Sequence, residues 1–556
     1  MEKEQVQLLT KQLKRVPVET GMYHVFLSVS TGSERARVEL IREDSLASCM
    51  AVLEEKLKKR TYTYVRVDIV RTIQEYTYHE LTKKLSSVSR NNYFRLGIGF
   101  DKKLSIAFLA EELQGNALLK PSTGHIVGFN SPKLNFDEKN LKGYMIRKYG
   151  QLSPKKTAQH KFYVFDTQGF YLENNQWIVL SSVGETTGVR ITDSLSFPSR
   201  IYEAIDYGEE FLRKQIKLTG QFIYGYYPTY DYELTGYNSV RHFSSIYALL
   251  EAQEFLSFPL SEMSEAKAAL DWGLTHLTFE REQALYVKEE TLTGVDVKLG
   301  AQALAILAFA KYQTMTGDTC YEGVITKIIT GISTAFVTPE GDTTHIVDEQ
   351  LQVKKKFNII YYDGEAVFGL LRGYAITKNE AHLALAKKLF HQFIEKKYER
   401  YHDHWLSYAT NELLLYTDDK KYYEFGLKNA FENLSFIEHR DTAYPTMLEL
   451  LMAAIKMVDK LKQTSYLKTN TLSYPFTKEK EWQLKEVARK RAKVEIEKGV
   501  LVPELGMFMK CPEKIVHGFY TRHDKFRMRI DDQEHFLSGL VNYYQYFYEE
   551  KCEGKI

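Results

Sequence analysis

Two carboxylates separated by one glycine are the first candidates for chemistry. Asp363 and Glu365 lie in YYDGEAVFGLL (361–371), next to Tyr362. Two carboxyl groups in a cleft can divide the acid and base work of glycosidic cleavage, and a buried Glu with a raised pKa can donate the proton. We therefore predict that Asp363 and Glu365 are catalytic and that Tyr362 contacts a sugar ring. The alternative is a helix cap at Asp363 and a solvated or salt-bridged Glu365.

A second acid and base pair occurs in RIDDQEHFLSGL (529–540). Asp532 and His535 are three residues apart, so they share one face of a helix. We predict that both are catalytic and that Arg529 pairs with a carboxylate of the protein or of the substrate. An Asp–His pair can also belong to a metal site, but neither an H-E-x-x-H motif nor cysteine-rich partners accompany it. We expect no metal ion and no cofactor.

An aromatic and polar cluster occurs in HDHWLSYATNEL (402–413). His404 and Tyr408 share a helix face at i and i+4, and Trp405 is one of four tryptophans. An aromatic plane beside polar groups suits the apolar face and the hydroxyl rim of a sugar. We predict that all three residues bind substrate. The alternative is a packed Trp405 with a histidine that hydrogen-bonds at the helix end.

Adjacent basic and polar residues mark two further helix starts. YNSVRHF (237–243) carries Arg241 and His242, and HRDTAYP (439–445) carries Arg440 and Asp441. Arginine beside histidine suits recognition of a carboxylate or phosphate. We predict that these four residues bind substrate. An ion-pair network between helices is the structural alternative.

Helical periodicity explains how such distant residues could meet. From about residue 198 onward, apolar residues recur at three- and four-residue spacing in twelve segments. These are 199–216, 239–257, 262–280, 298–316, 319–337, 363–376, 379–397, 403–416, 419–435, 442–461, 479–499 and 531–549. Six antiparallel pairs predict a mainly α fold, a closed (α/α)6 toroid. The polar clusters begin the second helix of each pair, so we expect those helices to form the inner layer and their N-termini to surround one mouth.

The first part of the chain has a different pattern. Alternating apolar residues predict strands at 22–30, 36–41, 63–70, 94–100 and 162–182, with helices at 46–60 and 104–119. We therefore predict an α+β N-terminal domain at residues 1–197 and the toroid domain at residues 198–556.

The repeating pairs, the TGD turn (316–318) and the starts YYDGEA and HDHWLSYATNEL resemble the (α/α)6-toroid carbohydrate enzymes over about residues 198–550. That group comprises six-hairpin glycosidases, toroid polysaccharide lyases and N-acylglucosamine 2-epimerases. The resemblance implies a sugar or uronic-acid substrate in the mouth, and we expect a glycoside hydrolase-like enzyme. The alternatives are a sugar epimerase or lyase, or a non-catalytic accessory protein for cell-envelope polymer synthesis or peptide modification.

The composition and the short motifs limit the classes of molecule that the protein is expected to bind. A net charge of +2 does not indicate a nucleic-acid-binding protein, and four cysteines are too few for a disulfide framework. The sequence contains neither a P-loop nor a strand-linked G-x-G-x-x-G motif. The N-terminus lacks an apolar signal segment, and no run of about 18 apolar residues occurs. We expect a cytoplasmic protein without a membrane span and with a saccharide or uronate substrate. The N-terminal domain is the candidate site for a protein partner.

Overall fold

The computed structural model describes residues 3–19, 21–88, 94–121, 134–151, 159–469 and 471–549. The chain groups into two compact units. Unit 1 comprises Met1–Ser194, Tyr226–Tyr232 and Glu497–Met528, and unit 2 comprises Leu195–Gly225, Glu233–Ile496 and Arg529–Ile556. The domain boundary at residue 197 stays a prediction, and it does not anticipate the two later segments of unit 1.

Unit 1 is built on an antiparallel sheet. Its strands are β1 (Tyr23–Ser30), β2 (Arg37–Glu43), β3 (Tyr64–Thr77), β4 (Gly97–Gly99), β5 (Ala107–Phe108), β6 (Leu119–Pro121), β7 (Leu134–Phe136), β8 (Lys161–Glu173) and β9 (Gln176–Val179). The main sheet has the order β2-β1-β3-β8-β4-β5, with β9 paired to β8 and a separate β6–β7 pair. Strand β2 is therefore an edge strand.

Helices cover this sheet because its strands are apolar on both faces. They are α1 (Lys3–Leu13), α2 (Leu46–Lys58), α3 (Tyr78–Ser86), α4 (Ala110–Gly115) and α5 (Glu138–Tyr149), with a short helix at Pro503–Gly506. Successive side chains of a strand point to opposite faces. Leu27 accordingly packs in one core with Leu53 of α2, whereas Phe26 stacks on Phe165 in another core, with ring centroids 5.5 Å apart.

Unit 2 contains the long helices. They are α6 (Phe197–Lys214), α7 (Ser239–Phe255), α8 (Ser264–His276), α9 (Leu299–Thr316), α10 (Glu322–Ala335), α11 (Tyr361–Thr377), α12 (Glu380–Glu395), α13 (His404–Leu413), α14 (Lys420–Phe431), α15 (Leu434–Glu438), α16 (Thr446–Gln463), α17 (Lys478–Gly499) and α18 (Ile530–Tyr544). A small antiparallel sheet of β10 (Thr278–Arg281), β11 (Ala284–Thr291), β12 (Gly294–Lys298), β13 (Ile346–Val347) and β14 (Val353–Lys355) accompanies them. Further short strands are Gly225–Tyr227, Tyr232–Glu233 and Met528–Arg529.

Six of these helices form a closed ring. Helix α7 packs on α9, α9 on α11, α11 on α13, α13 on α16, α16 on α18, and α18 again on α7. The inner helix α9 is buried on nearly every side, whereas the outer helix α10 buries a stripe that includes Ile325, Ile328 and Ile332. This difference is the one expected between a central and a peripheral helix. The closed ring confirms the predicted toroid and the predicted choice of inner helices.

Among the described helices, none is both long enough and apolar enough to cross a membrane.

Candidate active site

Three inner helices bring two histidines and a glutamate together at the mouth, the end of the ring where the inner helices begin. His404 is the first residue of α13, Glu449 lies in the first turn of α16, and His535 lies in the second turn of α18. His535 Nδ1 lies 2.8 Å from Glu449 Oε2, and the Tyr408 hydroxyl donates to Glu449 Oε1 at 3.2 Å. The imidazole rings of His404 and His535 meet edge to face with centroids 5.2 Å apart.

The two imidazoles have different electrostatic surroundings. Burial acts to lower the pKa of His535, but the carboxylates of Glu534 and Glu449 outweigh burial and raise that pKa to about 10. His535 is therefore an imidazolium at neutral pH. His404 Nδ1 lies 3.2 Å from Asp403 Oδ1, and its Nε2 lies 3.9 Å from Glu449 Oε2. Neither contact is a hydrogen bond. His404 Nε2 is buried and has no hydrogen-bond partner among the described residues.

Glu365 is the buried acid of this mouth. Burial, followed by the charges of Asp403 and Glu534, raises its pKa well above the usual range. Its Oε2 atom is also buried without a hydrogen-bond partner in the described part of the chain. Gly300 of α9 makes room for this side chain, because a Cβ atom there would lie 2.1 Å from Glu365 Oε2. A carboxyl group in these surroundings keeps its proton to a higher pH than an exposed one, as a proton donor requires.

Two carboxylates of the mouth were not predicted from the sequence. Burial raises the pKa of Glu534 to about 7, and Ser244 donates a hydrogen bond to Glu534 Oε2. Glu449 is the acceptor that joins His535 to Tyr408. A signal for Glu449 existed, since it is the one acidic residue in the otherwise apolar run TMLELLMAAI (446–455).

Two arginines converge on a third unpredicted carboxylate, that of Asp531. Arg241 Nε donates to Asp531 Oδ2 at 2.7 Å, and Arg529 donates to the same oxygen at 2.6 Å. Burial would raise the pKa of Asp531, but the two guanidinium groups lower it to about 2. One carboxylate neutralises only one of the two cations. The Arg241 side chain remains 32% exposed, so positive charge is available at this rim of the mouth.

Tyr362 lies close to the same groups. Its ring is buried, with its centroid 5.5 Å from that of His345. Burial and then the charge of Glu365 raise the pKa of Tyr362. Its phenol ring also lies close to Gly300, where an added Cβ would approach within 2.5 Å of the ring. Tyr362 therefore packs beside Glu365, where it can help to shape the site.

The structure does not support a catalytic role for Asp363. Its Oδ1 accepts from Thr343 Oγ1 at 2.5 Å, and its Oδ2 lies 3.0 Å from His345 Nε2. His345 Nδ1 accepts from the backbone N–H of Asn358 at 3.0 Å, so the His345 proton lies on Nε2 and is donated to Asp363. Both carboxylate oxygens are occupied in holding the segment before α11, which is a structural task.

The prediction that His242 binds substrate is also not supported. Its side chain is fully buried, with Nδ1 2.8 Å from the Tyr237 hydroxyl and Nε2 3.0 Å from the carbonyl oxygen of Ala269 in α8. Burial lowers the pKa of His242 to about 3. A neutral imidazole with both nitrogens hydrogen-bonded joins α7 to α8 and leaves no atom for a ligand.

The contacts of Asp532 and Trp405 also stabilise the fold, through a helix cap and through ring packing. Asp532 Oδ2 accepts from the backbone N–H of Arg529 at 3.0 Å, an interaction that caps the start of α18. Trp405 is only 3% exposed and packs beside Phe368 and Tyr408, with ring centroids 6.3 and 5.7 Å away. An indole without exposed faces does not offer a surface on which a sugar can stack. Tyr408, in contrast, reaches Glu449 of the mouth.

Arg440 and Asp441 lie in the segment that leads into α16. Arg440 Nε donates to Thr442 Oγ1 at 3.0 Å, and its guanidinium lies over the Tyr444 ring, 5.3 Å from the centroid. The buried Arg491 donates to the carbonyl oxygens of Arg440 and Thr442 at 2.7 and 2.6 Å. These contacts support a role in holding the segment, and binding by Arg440 and Asp441 stays a prediction.

One group in the described ranges could surround a cation. The ligand atoms of His404, Glu449 and His535 all lie within 4.8 Å of one another. Two imidazole nitrogens and one carboxylate oxygen suit zinc or another divalent transition metal. The same atoms also make a good hydrogen bond, from His535 to Glu449, without any ion. The expectation that no metal binds therefore stays a prediction.

No protein-family model matches the sequence, and no curated protein matches it. Among solved structures, the chain is similar to a D-mannose isomerase (11% identity, TM-score 0.45, 64% of this chain and 98% of that chain covered). It is also similar to the cellobiose 2-epimerase from Bacillus thermoamylovorans B4167 (11%, 0.46, 63% and 100%) and to the GH76A α-1,6-mannanase from Salegentibacter sp. HEL1_6 (11%, 0.42, 62% and 98%). The closed ring of six inner helices in this chain is itself what identifies the (α/α)6 toroid.

Proposed function

We propose that the mouth of the toroid catalyses proton transfer at a carbon atom beside the carbonyl group of a sugar, as in epimerisation or aldose–ketose isomerisation. The observation that carries this proposal is the contact between the buried imidazole of His404 and the partly exposed imidazole of His535, with Glu449 hydrogen-bonded to His535. Two adjacent imidazoles, of which His535 holds its proton beside the carboxylates of Glu534 and Glu449, can supply a base and an acid at one place. A saccharide substrate is what the resemblance to toroid carbohydrate enzymes implies.

In this mechanism His404 is the base. With its proton on Nδ1, 3.2 Å from Asp403 Oδ1, His404 takes the proton from carbon with the lone pair of Nε2. The electron pair of the broken C–H bond forms the new C=C bond, and the π pair of the carbonyl group moves onto its oxygen. His535 fixes its Nδ1–H toward Glu449 and offers Nε2–H to that oxygen. In isomerisation His535, having protonated the carbonyl oxygen, takes the proton of the neighbouring hydroxyl group, and His404 returns its proton to the former carbonyl carbon. In epimerisation His535 Nε2–H instead donates its proton to the opposite face of the same carbon, and the carbonyl group re-forms.

The surrounding groups would bind and orient the sugar. Arg241 is partly exposed at the rim, where its guanidinium can donate to a carbonyl or hydroxyl oxygen. Glu365 can bond to a second hydroxyl group, because its Oε2 has no partner in the described residues and its raised pKa favours the proton-donating form. These donors remain fixed during the reaction, which favours stabilisation of the developing enediolate.

Solvent exchange tests the proposal. The protein would be incubated in D₂O with aldoses, ketoses, N-acylhexosamines and β-linked disaccharides, and deuterium at the carbon beside the carbonyl would be followed by NMR. We expect exchange for at least one sugar, and its loss in His404→Gln and in His535→Gln. His439→Gln is the matched control, because His439 is exposed and bonds only to the backbone of its own helix. Exchange that persists in both mouth variants would contradict the proposal.

Glycoside hydrolysis is the second candidate, and Glu365 is the observation that favours it. A buried carboxyl group with a raised pKa is the kind of group that protonates a glycosidic oxygen. Hydrolysis predicts new reducing ends without deuterium at carbon, and their loss in Glu365→Gln. Dialysis against a chelator separates both mechanisms from a metal-dependent one. Saturable sugar binding without any turnover would favour the accessory role.

A further inference from the structure

A ligand-sized cavity lies in unit 1, and none of its lining residues is assigned to the toroid mouth. Its volume is about 670 Å³, and it is lined by the start of edge strand β2, by α5 and by Lys510. A smaller cavity of about 310 Å³ shares Arg35 and Arg37 with it. Small-molecule sites commonly have volumes of roughly 300–1,000 Å³. All lining residues belong to unit 1.

The acidic residues of the larger cavity already have cationic partners. Glu39 Oε2 lies 2.8 Å from Lys56 Nζ, and Asp231 Oδ1 lies 3.3 Å from Lys514 Nζ. Glu34 is exposed and faces Arg37 at 4.0 Å. These carboxylates therefore leave little negative charge for the remaining cations of the wall.

Three cations of the wall have no carboxylate partner among the described residues. Arg35 donates to the backbone carbonyl oxygens of Gly115 and Thr229, the second at 2.5 Å. The Arg147 guanidinium lies 5.6 Å from the centre of the Tyr144 ring, and Lys510 Nζ donates to the Tyr230 carbonyl oxygen at 3.3 Å. Burial and then the charge of Arg147 lower the pKa of Arg35 to about 10. The two guanidinium groups therefore repel each other across the cavity wall.

We infer that this cavity binds the phosphate group of a small phosphorylated ligand, with Arg35, Arg147 and Lys510 as its donors. Three unneutralised cations match the two or three negative charges of a phosphate or pyrophosphate better than the single charge of a carboxylate. The planar fork of an arginine fits phosphate oxygens in a bidentate manner. The backbone bonds of Arg35 hold one such fork in place before the ligand arrives. The site is independent of the function proposed for the mouth.

Calorimetric titration of the full chain with inorganic pyrophosphate tests the inference. We expect saturable binding at low ionic strength. The variants are Arg147→Gln and Lys510→Gln, because both residues are exposed and their loss leaves the backbone bonds of Arg35 intact. Each substitution should weaken binding on the order of tenfold, and the double variant more, because each removes a charge-assisted hydrogen bond. Arg400→Gln, an exposed arginine in unit 2, is the control and should bind like the wild type.

A lipid headgroup could supply the same phosphate chemistry, so a second arm uses vesicles. Sedimentation with phosphatidylcholine vesicles, with and without phosphatidic acid, would be compared for wild type and for the double variant. Pyrophosphate binding that the variants lose supports a site for free phosphorylated compounds. Binding only to phosphatidic acid vesicles, lost in the double variant, supports the same site with a lipid source. Absence of both, or binding that the double variant retains, overturns the inference.

Discussion

Two buried ion-pair clusters of unit 1, around Arg66 and Arg190, have their charged atoms hydrogen-bonded, whereas the mouth of the toroid keeps buried polar atoms without a partner among the described residues. In unit 1, Arg66 donates to Asp68 and Glu111 at 2.8 Å each, and Arg190 donates to Glu504 at 2.7 Å. At the mouth, one oxygen of Glu365 and one nitrogen of His404 have no hydrogen-bond partner in the part of the chain that the structure describes. The same is true of both carboxylate oxygens of the buried Glu495.

This difference distinguishes buried charges that stabilise the fold from buried polar atoms that remain available to a ligand. A buried ion pair whose groups are all hydrogen-bonded stabilises a particular packing, and nothing is left for a ligand. The backbone also leaves room for the Arg66–Glu111 ion pair: Gly188 has a φ of +87°, and a Cβ atom there would lie 2.1 Å from Glu111 Oε1. A buried polar atom without a partner costs about 1–3 kcal/mol, a cost that a bound substrate can remove.

The largest expected effect is a loss of activity without a comparable loss of stability. His404→Gln should lower the rate of proton transfer by on the order of 10²–10⁴, because the base is removed. The free energy of unfolding should fall by only about 1–2 kcal/mol, because the substitution removes ring contacts of a buried side chain but no hydrogen bond at Nε2. Turnover and urea unfolding of the same samples measure both quantities. A loss of several kcal/mol in stability would place His404 with the structural charges.

Arg66→Met should lower the stability of the fold and leave the proton-transfer activity unchanged. It leaves Asp68 and Glu111 buried without their cation, so we expect the free energy of unfolding of unit 1 to fall by about 3–5 kcal/mol. Chemical denaturation followed by circular dichroism is the measurement, and proton-transfer activity of the folded fraction should persist. Arg37→Met is the matched control, because that side chain is 81% exposed and its loss should be undetectable. Equal stability of Arg66→Met and wild type would contradict the structural assignment.

Trp405→Ala tests whether a tryptophan of the toroid is a packing residue or a substrate-binding residue. Because the indole is packed between aromatic rings, its truncation should lower the free energy of unfolding by about 3 kcal/mol. Trp482→Ala provides the comparison, since Trp482 is 63% exposed. Thermal and urea unfolding of both variants decide the matter. If Trp405→Ala is as stable as Trp482→Ala but binds sugar poorly, Trp405 belongs to the substrate site.

The smallest effect concerns pH. The pKa of His242 is about 3 in the folded chain and near 6.5 when unfolded, so only the unfolded state binds a proton between these values. Stability is therefore highest above pH 6.5 and is lost as the pH falls toward 3. Between pH 7.5 and pH 5 this histidine should lower the free energy of unfolding by about 2 kcal/mol. His242→Gln should show a correspondingly flatter dependence in urea titrations, whereas the exposed His276→Gln should follow wild type.

The toroid was predictable because its helices depend on local periodicity. Boundaries of the inner helices, and the fact that their starts share one end, follow from apolar spacing and alternating direction. Predictions were weaker where pairing between distant segments decides the structure. The segment 104–119 reads as one helix, yet Phe108 pairs with Ile98 in the sheet, and only Ala110–Gly115 is helical.

The direction of individual side chains was less predictable, for a geometric reason. Residues two apart on a helix point to nearly opposite sides, so Asp363 and Glu365 cannot both face the mouth. Neighbouring residues are about 100° apart, and this separation places Arg241 at Asp531 but His242 against α8. Glu449 and Glu534 lack a motif of their own. Their importance follows from the side chains that three-dimensional packing places around them.

The discontinuous composition of unit 1 has a consequence for biosynthesis. The carbonyl oxygen of Glu504 accepts from Arg66, which precedes it by 438 residues, and its carboxylate accepts from Arg190, which precedes it by 314 residues. At about 5–20 residues per second, a ribosome needs roughly 20–90 s to bridge the longer interval. During that time most of the toroid sequence emerges, while the arginines of the N-terminal sheet still lack Glu504. Unit 1 is therefore the first unit to be started in synthesis, but it cannot be completed until residue 528 has emerged. By then only the last segment of unit 2, which carries the inner helix α18, is still to follow.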